Sequence, residues 1–204
     1  MARSDVYAQP DAPDPVLSAA TVLRLARACL GRADAVTAVD ESGGEARVYV
    51  VDERVVVKTQ RPHRVRARTS LAKEVRLLEY LAGPLAGQIP TVYGYDRVQT
   101  AEGTVEYIVM SRIPGQATRH ASVTGAARTH LLRTLGQLLR QLHALSADPL
   151  VDADLFPTDD NAAALRRRLE LGLTDVVDRI TSQPGRWTLA VSPDEVASRA
   201  TNAL

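Results

Sequence analysis

The spacing of apolar residues divides the chain into a β-rich first part and a helical second part. Near the start, apolar side chains recur every three or four positions, the spacing of one helix face, and they are Val22, Leu25, Ala26, Cys29 and Leu30. Ser18 is a suitable N-cap for this helix and Gly31 a suitable stop. The pattern therefore predicts a helix between these two residues.

Three short runs rich in β-branched residues follow, at 35–40, 47–51 and 54–59. Tight polar turns separate the runs, first Ser42-Gly43-Gly44 and then Asp52-Glu53. Short strands joined by such turns are typical of an antiparallel meander. We therefore predict three antiparallel strands in this stretch.

A further helix and two more strands are predicted next. From 68 to 81 the apolar period changes from two to 3.6, with Leu71 and Val75 on one helix face. Runs at 91–99 and 105–111 then resume the β pattern. The first part is thus expected to be a five-stranded antiparallel sheet with one helix packed against it.

Beyond Pro114-Gly115, apolar positions keep a helical spacing. One apolar face extends from Leu131 to Leu145, and a second lies between Ala162 and Ile180. The order Ser192-Pro193-Asp194-Glu195 is typical of an N-cap followed by a first helical turn. The predicted fold class is α+β, with a five-stranded antiparallel N-terminal lobe followed by a helical lobe.

Composition limits the classes of function. The 204 residues are 45% hydrophobic and 24% charged, as in globular chains, and no apolar run reaches the ~18 residues of a membrane span. The 25 basic residues balance 24 acidic ones, so no net charge draws the chain to nucleic acid. Cys29 is the only cysteine and no signal-peptide pattern opens the chain, so we expect a cytoplasmic protein.

Two charges of opposite sign fall where buried faces are predicted. Lys58 ends a run of three valines, and Glu74 shares the helix face of Leu71 and Leu78, while Lys73 points away. Burying either ion alone is costly, whereas a strand lysine that faces a helix glutamate offsets part of the cost. The pattern predicts a Lys58–Glu74 ion pair. The alternative is a lysine at a strand end and a solvated helix glutamate.

Together these parts resemble the aminoglycoside phosphotransferases, a family broadly similar to choline and protein kinases. The similarity lies in five stretches: SGGEARVYVVDERVVVKTQ, SLAKEVRLLEYLAG, IPTVYGYDRV, EYIVMSRIPGQA and LLRTLGQLLRQLHAL. It runs from about Ala35 to Leu145 and more loosely to Leu204. The resemblance implies a protein-kinase-like fold and ATP-dependent phosphorylation of a hydroxyl group on a small molecule.

The resemblance also implies cofactor-binding roles for Lys58, Glu74, Gly43, Gly44, Ser111 and Ile113. The lysine would bind the α- and β-phosphates of ATP, the glutamate would hold the lysine, and the glycine turn would cover the phosphates. The serine carbonyl and the isoleucine amide would face the adenine edge in a hinge between lobes. The turn sequence SGGEA is not a G-x-G-x-x-G loop, and Gly-Gly is also typical of an ordinary hairpin.

The catalytic part of the family pattern is missing from the sequence. The resemblance implies an H-G-D-x-x-x-x-N loop whose carboxylate orients the attacking hydroxyl, and a later aspartate that holds magnesium. None of the four histidines begins such a loop, so we assign no catalytic residue and no metal ligand. We expect a truncated chain that carries the nucleotide-binding half and is inactive alone, with ATP and Mg as the family's cofactors. The alternative is a non-catalytic nucleotide-binding or regulatory pseudo-kinase.

Three segments are expected: a disordered tail at 1–16, a kinase-like N-terminal lobe at 17–112 and part of a helical lobe at 113–204. The small-molecule substrate is not assigned, because the helical lobe forms most of the acceptor pocket in this family. An unfinished helical lobe would expose apolar faces around Leu173 and Val177, which predicts aggregation or a protein partner. No nucleic acid and no membrane is expected as a partner.

Two other patterns have competing interpretations. Ser70-Leu71-Ala72-Lys73 matches the S-x-x-K of serine β-lactamases, but S-D-N and K-T-G are missing, so Ser70 is interpreted as a helix cap. A basic cluster precedes this helix and comprises Arg61, His63, Arg64, Arg66 and Arg68. Such a cluster is able to contact phosphates, but a near-neutral chain with few aromatic residues favours a solvated loop.

Overall fold

The computed structural model describes residues 7–66, 69–115 and 123–150, together with scattered positions between 163 and 198. The chain divides into two compact units, Met1–Phe156 and Pro157–Leu204. In the described part of the first unit, the helices and strands are, in chain order, α1 (Ala19–Leu30), β1 (Val36–Asp40), β2 (Ala46–Val51), β3 (Val55–Gln60), α2 (Leu71–Leu81), β4 (Val92–Thr100), β5 (Gly103–Ser111) and α3 (Gly125–His143).

The strands form one antiparallel sheet in the spatial order β1-β2-β3-β5-β4. The first three strands are a meander, and β5 then pairs with β3 while β4 lies at the edge. Asp52 and Glu53 both have positive φ, 50° and 57°, which suits the two-residue turns that close tight hairpins. The predicted α+β fold with a five-stranded antiparallel sheet is confirmed.

Helices cover both faces of the sheet. On one face, α1 packs through Val22, Leu25 and Ala26 onto alternate strand residues that include Val51, Val57 and Val109. On the other face, α2 packs through Leu71 and Val75 onto Val56, Ile108 and Met110. The sequence interpretation placed a single helix against the sheet. The structure adds α1 on the opposite face, because both faces of the central strands carry apolar side chains.

The helix caps explain where α1 and α2 begin. Ser18 Oγ accepts the Thr21 backbone N–H at 3.2 Å, and Gly31 ends α1 with a left-handed φ of 74°. Ser70 Oγ accepts the Lys73 N–H at 3.2 Å, so α2 begins at Leu71 and not at the predicted position 68. A side-chain oxygen here satisfies an amide that has no partner within the helix. The interpretation of Ser70 as a helix cap is confirmed.

The helical second part is described in fewer places. No residue of α3 is buried, and its leucines at 131, 132, 135 and 139 are exposed. In the second unit, Ser192 Oγ accepts the Glu195 N–H at 3.1 Å, which confirms the predicted N-cap. The predicted apolar patch around Leu173 and Val177 lies outside the described residues. Within the described helices, none is both long and apolar enough to cross a membrane. The predicted domain boundaries stay predictions.

Candidate functional site

The predicted ion pair between the third strand and the following helix is present. Lys58 Nζ lies 2.5 Å from Glu74 Oε2. Lys58 is paired with Val48 on β2 and with Ile108 on β5, so its side chain leaves the middle of the sheet on the face covered by α2. The two side chains are 23% and 32% exposed, which means that the pair is partly solvated and remains accessible from one side.

A cavity of about 380 Å³ opens beside this pair. Its lining comes from the residues after the glycine turn, from β3 and from the start of α2 with the two residues before it. Its polar members are Glu45, Lys58, Gln60, Thr69, Ser70, Lys73 and Glu74. The volume lies within the range of small-molecule sites. Lys73 lines the same cavity as Glu74 and, like Glu74, is partly exposed, and the expectation that it points away from the buried face stays a prediction.

A hydrogen bond from the first residue of α2 to the last residue of β3 joins the helix to the sheet. Gln60, the last residue of β3, accepts the Leu71 backbone N–H through Oε1 at 3.3 Å. This bond joins the strand that carries Lys58 to the helix that carries Glu74, close to where the two side chains meet. It satisfies another of the amides at the N-terminus of α2. The Gln60 side chain thus holds the start of α2 against the end of the strand that carries Lys58.

The glycine turn lies at one end of the cavity. Gly43 and Gly44 lie between β1 and β2, and Asp40 Oδ1 accepts the Ser42 N–H at 2.7 Å at the start of the turn. A Cβ added to Gly44 would meet no heavy atom of the described residues within 4 Å. Glu45, which follows Gly44 directly, is the residue that reaches the cavity lining. The turn therefore borders the cavity through Glu45, and Gly44 has open space where a Cβ would lie.

The two predicted hinge residues lie further along the sheet. Ser111 ends β5 opposite Val55, three positions from the Lys58–Ile108 pair and hence about 10 Å along the strand. Its N–H donates to the Thr91 carbonyl, and its Oγ accepts the Thr91 N–H, both at 2.8 Å. Ile113 follows the strand and is 47% exposed. The structure does not bring these residues to the ion pair, and their adenine-binding role stays a prediction.

A second cluster of charges, not anticipated from the sequence, lies on the face covered by α1. We call it the Asp14 cluster, and it comprises Asp14, Glu41, Arg47 and Arg61. Asp14 Oδ2 accepts from Arg47 Nη2 at 3.1 Å and from Arg61 Nη2 at 2.5 Å. Arg47 also donates to Glu41 Oε1 at 2.5 Å and to the Pro15 carbonyl at 2.8 Å. Asp14 and Pro15, at the end of the predicted disordered tail, thus contact the sheet.

Two arginines of the basic loop, Arg61 and Arg66, have carboxylate partners. Arg61 is buried and belongs to the Asp14 cluster. Arg66 Nε lies 2.9 Å from Glu45 Oε1, at the edge of the cavity. Arg68 lies outside the described residues. The interpretation of this cluster as a solvated loop is wrong for Arg61, because its guanidinium has a carboxylate partner 47 residues earlier in the sequence.

The pKa values of several carboxyl groups are lowered, among them those of Asp14, Glu41 and Asp52. Burial raises the pKa of Asp14, but the Arg61 hydrogen bond and the charges of Arg47, Arg61 and His63 together bring it below its usual value. The hydrogen bond from Arg47, followed by its charge, lowers the pKa of Glu41. Backbone N–H groups of Ala35 and Asp34 lower the pKa of Asp52. These carboxylates stay ionised at neutral pH.

A family model described as the phosphotransferase enzyme family (APH) matches residues 37–199, which is more than half of the chain. The chain belongs to the phosphotransferase enzyme family. The predicted family resemblance is thereby confirmed. A comparison with curated protein sequences found no match to this chain.

Solved structures of aminoglycoside phosphotransferases share the fold of this family member. The streptomycin–ATP ternary complex of APH(2")-IIa matches with a TM-score of 0.50 at 18% identity, covering 82% of this chain and 56% of that chain. The GDP complex of wild-type aminoglycoside 2'-phosphotransferase-IIIa matches with a TM-score of 0.52 at 17% identity, covering 90% of this chain and 57% of that chain. The kinase-like fold is thus shown, and the chain spans a little over half the length of these two proteins.

Proposed function

We propose that this chain forms the nucleotide-binding part of an ATP-dependent phosphotransferase that acts on a hydroxyl group of a small molecule. The observation that carries the proposal is the Lys58–Glu74 ion pair at 2.5 Å beside a cavity of about 380 Å³. A lysine held by a helix carboxylate keeps further N–H donors that can bind phosphate oxygens. Family membership supports the reaction class.

Each residue near the cavity has a defined part in this proposal. Lys58 binds the α- and β-phosphates, and Glu74 restricts the lysine to one position. The turn with Gly43 and Gly44 covers the phosphates, with Glu45 at its end. Ser111 and Ile113, about 10 Å further along β5, hold the adenine through backbone groups. When bound, ATP supplies the phosphoryl group that is transferred to the acceptor hydroxyl.

Magnesium is the second cofactor that the family implies. Among the described residues, no three His, Cys, Asp or Glu side chains come together in a way that could hold a metal ion. No described residue is therefore assigned as a magnesium ligand. The nucleotide complexes among the structural neighbours are consistent with phosphate binding by this fold, since they contain ATP or GDP.

A second candidate function is nucleotide binding without phosphoryl transfer. It is favoured by one sequence observation, because no H-G-D-x-x-x-x-N segment occurs within the 204 residues. Transfer to a hydroxyl needs a carboxylate that orients it. The two candidates share the nucleotide site and differ only in turnover.

The test is a binding titration with a fluorescent ATP analogue, with and without magnesium, on the full chain and on Lys58→Ala. We expect Lys58→Ala to weaken binding by at least about tenfold, since it removes a charged hydrogen-bond donor. Arg97→Ala, which changes an exposed arginine paired with Glu106 at 2.9 Å, is the matched control and should leave affinity unchanged. Equal affinity of Lys58→Ala and the unmodified chain would refute the assigned role.

Turnover separates the two candidates. We expect ATP consumption that depends on an added hydroxyl compound, such as an aminoglycoside, if the chain carries out transfer. Binding without consumption across a panel of such acceptors would favour the second candidate. If the folded chain binds no nucleotide, both candidates fail and only the family and fold remain.

A further inference from the structure

The charges around the cavity do not by themselves favour an anion. Two of its described lining residues are basic, Lys58 and Lys73, and two are acidic, Glu45 and Glu74. Glu74 is already paired with Lys58. Glu45 is the remaining lining carboxylate, and it lies directly after the glycine turn that is proposed to cover the phosphates. An ionised carboxylate at this place would repel a polyphosphate.

Arg66 is the residue that offsets Glu45. Its Nε lies 2.9 Å from Glu45 Oε1, and its own side chain is 53% exposed. Arg66 comes from the loop between β3 and α2, so it approaches the carboxylate from outside the cavity lining. Among the described residues, the charged lining side chains Lys58, Lys73, Glu45 and Glu74 sum to zero, and adding Arg66 gives a net charge of one positive unit.

Both partners of this pair are held by their backbones. The Glu45 carbonyl accepts the Arg61 N–H at 3.1 Å, which ties the end of the glycine turn to the end of β3. The Arg66 carbonyl accepts the Thr69 N–H at 3.1 Å, and Thr69 itself lines the cavity. The pair is thus built by two segments that both border the cavity. Because exposed ion pairs contribute little to stability, its position points to an effect on the bound ligand.

We propose that Arg66 and Glu45 together set the charge of the cavity, with Arg66 as a positioning residue that neutralises Glu45 and makes the cavity selective for a phosphate-bearing anion. The inference rests on the proposed function for the identity of that anion, a nucleoside triphosphate. Neither residue needs to touch the phosphates, because a unit charge several ångströms away is sufficient to change the affinity for a highly charged ligand.

Two substitutions that break the same ion pair should have opposite effects. Glu45→Gln removes the repelling carboxylate, so it should tighten binding of ATP and of inorganic tripolyphosphate, on the order of threefold to tenfold. Arg66→Gln leaves the carboxylate unneutralised, so it should weaken binding by a similar factor, on the order of threefold to tenfold. The double variant restores the net charge, so its affinity for both ligands should lie within about twofold of that of the unmodified chain.

Opposite directions distinguish an electrostatic role from a structural one. A pair that only stabilised the loop would shift the affinity of both single variants in the same direction, and that result would overturn the inference. No change in either variant would overturn it as well. The matched control is the exposed pair Arg32–Asp34, which lies between α1 and β1 and whose variants Arg32→Gln and Asp34→Asn should leave binding unchanged.

Salt provides a second readout. The difference between Glu45→Gln and Arg66→Gln should be large at about 20 mM salt and should nearly vanish at about 500 mM, because salt screens charges at this distance. A difference that persists at high salt would contradict a charge effect. If the folded, unmodified chain binds neither ATP nor tripolyphosphate, the proposed function itself fails. If it binds both but the variants do not diverge, only this inference fails.

Discussion

The two faces of the sheet hold their charges in different ways. On the face covered by α2, Lys58 and Glu74 form a partly exposed pair with a cavity beside it. On the face covered by α1, Arg47 is 2% exposed and is bound by Asp14, by Glu41 and by the Pro15 carbonyl. A buried charge whose partners surround it is costly to leave unpaired, whereas a charge with open space on one side is able to bind a ligand.

One pair of strands supplies both charges. Arg47 lies opposite Thr59 in the register of β2 and β3, and the next position pairs Val48 with Lys58. Since successive side chains of a strand point to opposite faces, the arginine and the lysine project away from each other. A separation of one residue along the sheet therefore decides which charge is structural and which faces the cavity.

The largest expected effect on stability comes from the Asp14 cluster, on the face covered by α1. Asp14→Ala should lower the free energy of unfolding by about 3 kcal/mol, because it leaves the buried guanidinium groups of Arg47 and Arg61 without their shared carboxylate. The measurement is urea unfolding at neutral pH. Asp11→Ala, an exposed aspartate of the same segment, is the control and should cost little. Equal losses in the two variants would mean that the Asp14 cluster does not stabilise the fold.

A smaller effect on stability is expected when the pH is lowered, because Asp14 then becomes protonated. The pKa of Asp14 is lower in the folded chain than in the unfolded chain, so its contribution to stability is present above pH ~4 and is lost as the pH falls through the folded pKa. The stability difference between the unmodified chain and Asp14→Asn should therefore shrink below pH ~4. Urea unfolding at several pH values measures it. A difference that stayed constant down to acid pH would contradict the assignment.

The smallest effect on stability is expected on the cavity face. Glu74→Gln should change the free energy of unfolding by less than about 1 kcal/mol, because the Lys58–Glu74 pair is partly exposed. Nucleotide affinity should nevertheless fall several-fold, since the lysine loses the charge that holds it. Unfolding and titration of the same preparation test both statements. A large loss of stability with unchanged affinity would reverse the comparison between the two faces.

Local patterns in the sequence were sufficient to predict the cavity face. The strand and helix periods could each be read from nearby residues, and both Lys58 and Glu74 fall on faces that those periods mark as buried. The exact start of α2 was missed because it depends on the Ser70 cap rather than on the apolar period.

The Asp14 cluster on the face covered by α1 was not predicted, although the position of Arg47 in its strand gave one indication of it. Arg47 alternates with Tyr49 and Val51 and so falls on the buried face of β2. Its partner Asp14 lies 33 residues earlier in a segment rich in proline. No periodic pattern joins two residues at such a distance, because the contact depends on how the chain folds back onto the sheet. An arginine on an apolar strand face indicates only that a distant carboxylate is needed.

The strand order β1-β2-β3-β5-β4 also determines when Lys58 acquires its central position in the sheet during synthesis. Until β5 has been made and has paired, β3 is an edge strand with unpaired amides, and Lys58 lies at the rim of a three-stranded meander. The strand that gives Lys58 its central position is made about 45 residues after it, and pairings of such long range form late because their loops are costly to close. The described walls of the cavity, from Glu45 to Leu77, are all made before β5, so the fifth strand adds the central position of Lys58 rather than the cavity itself.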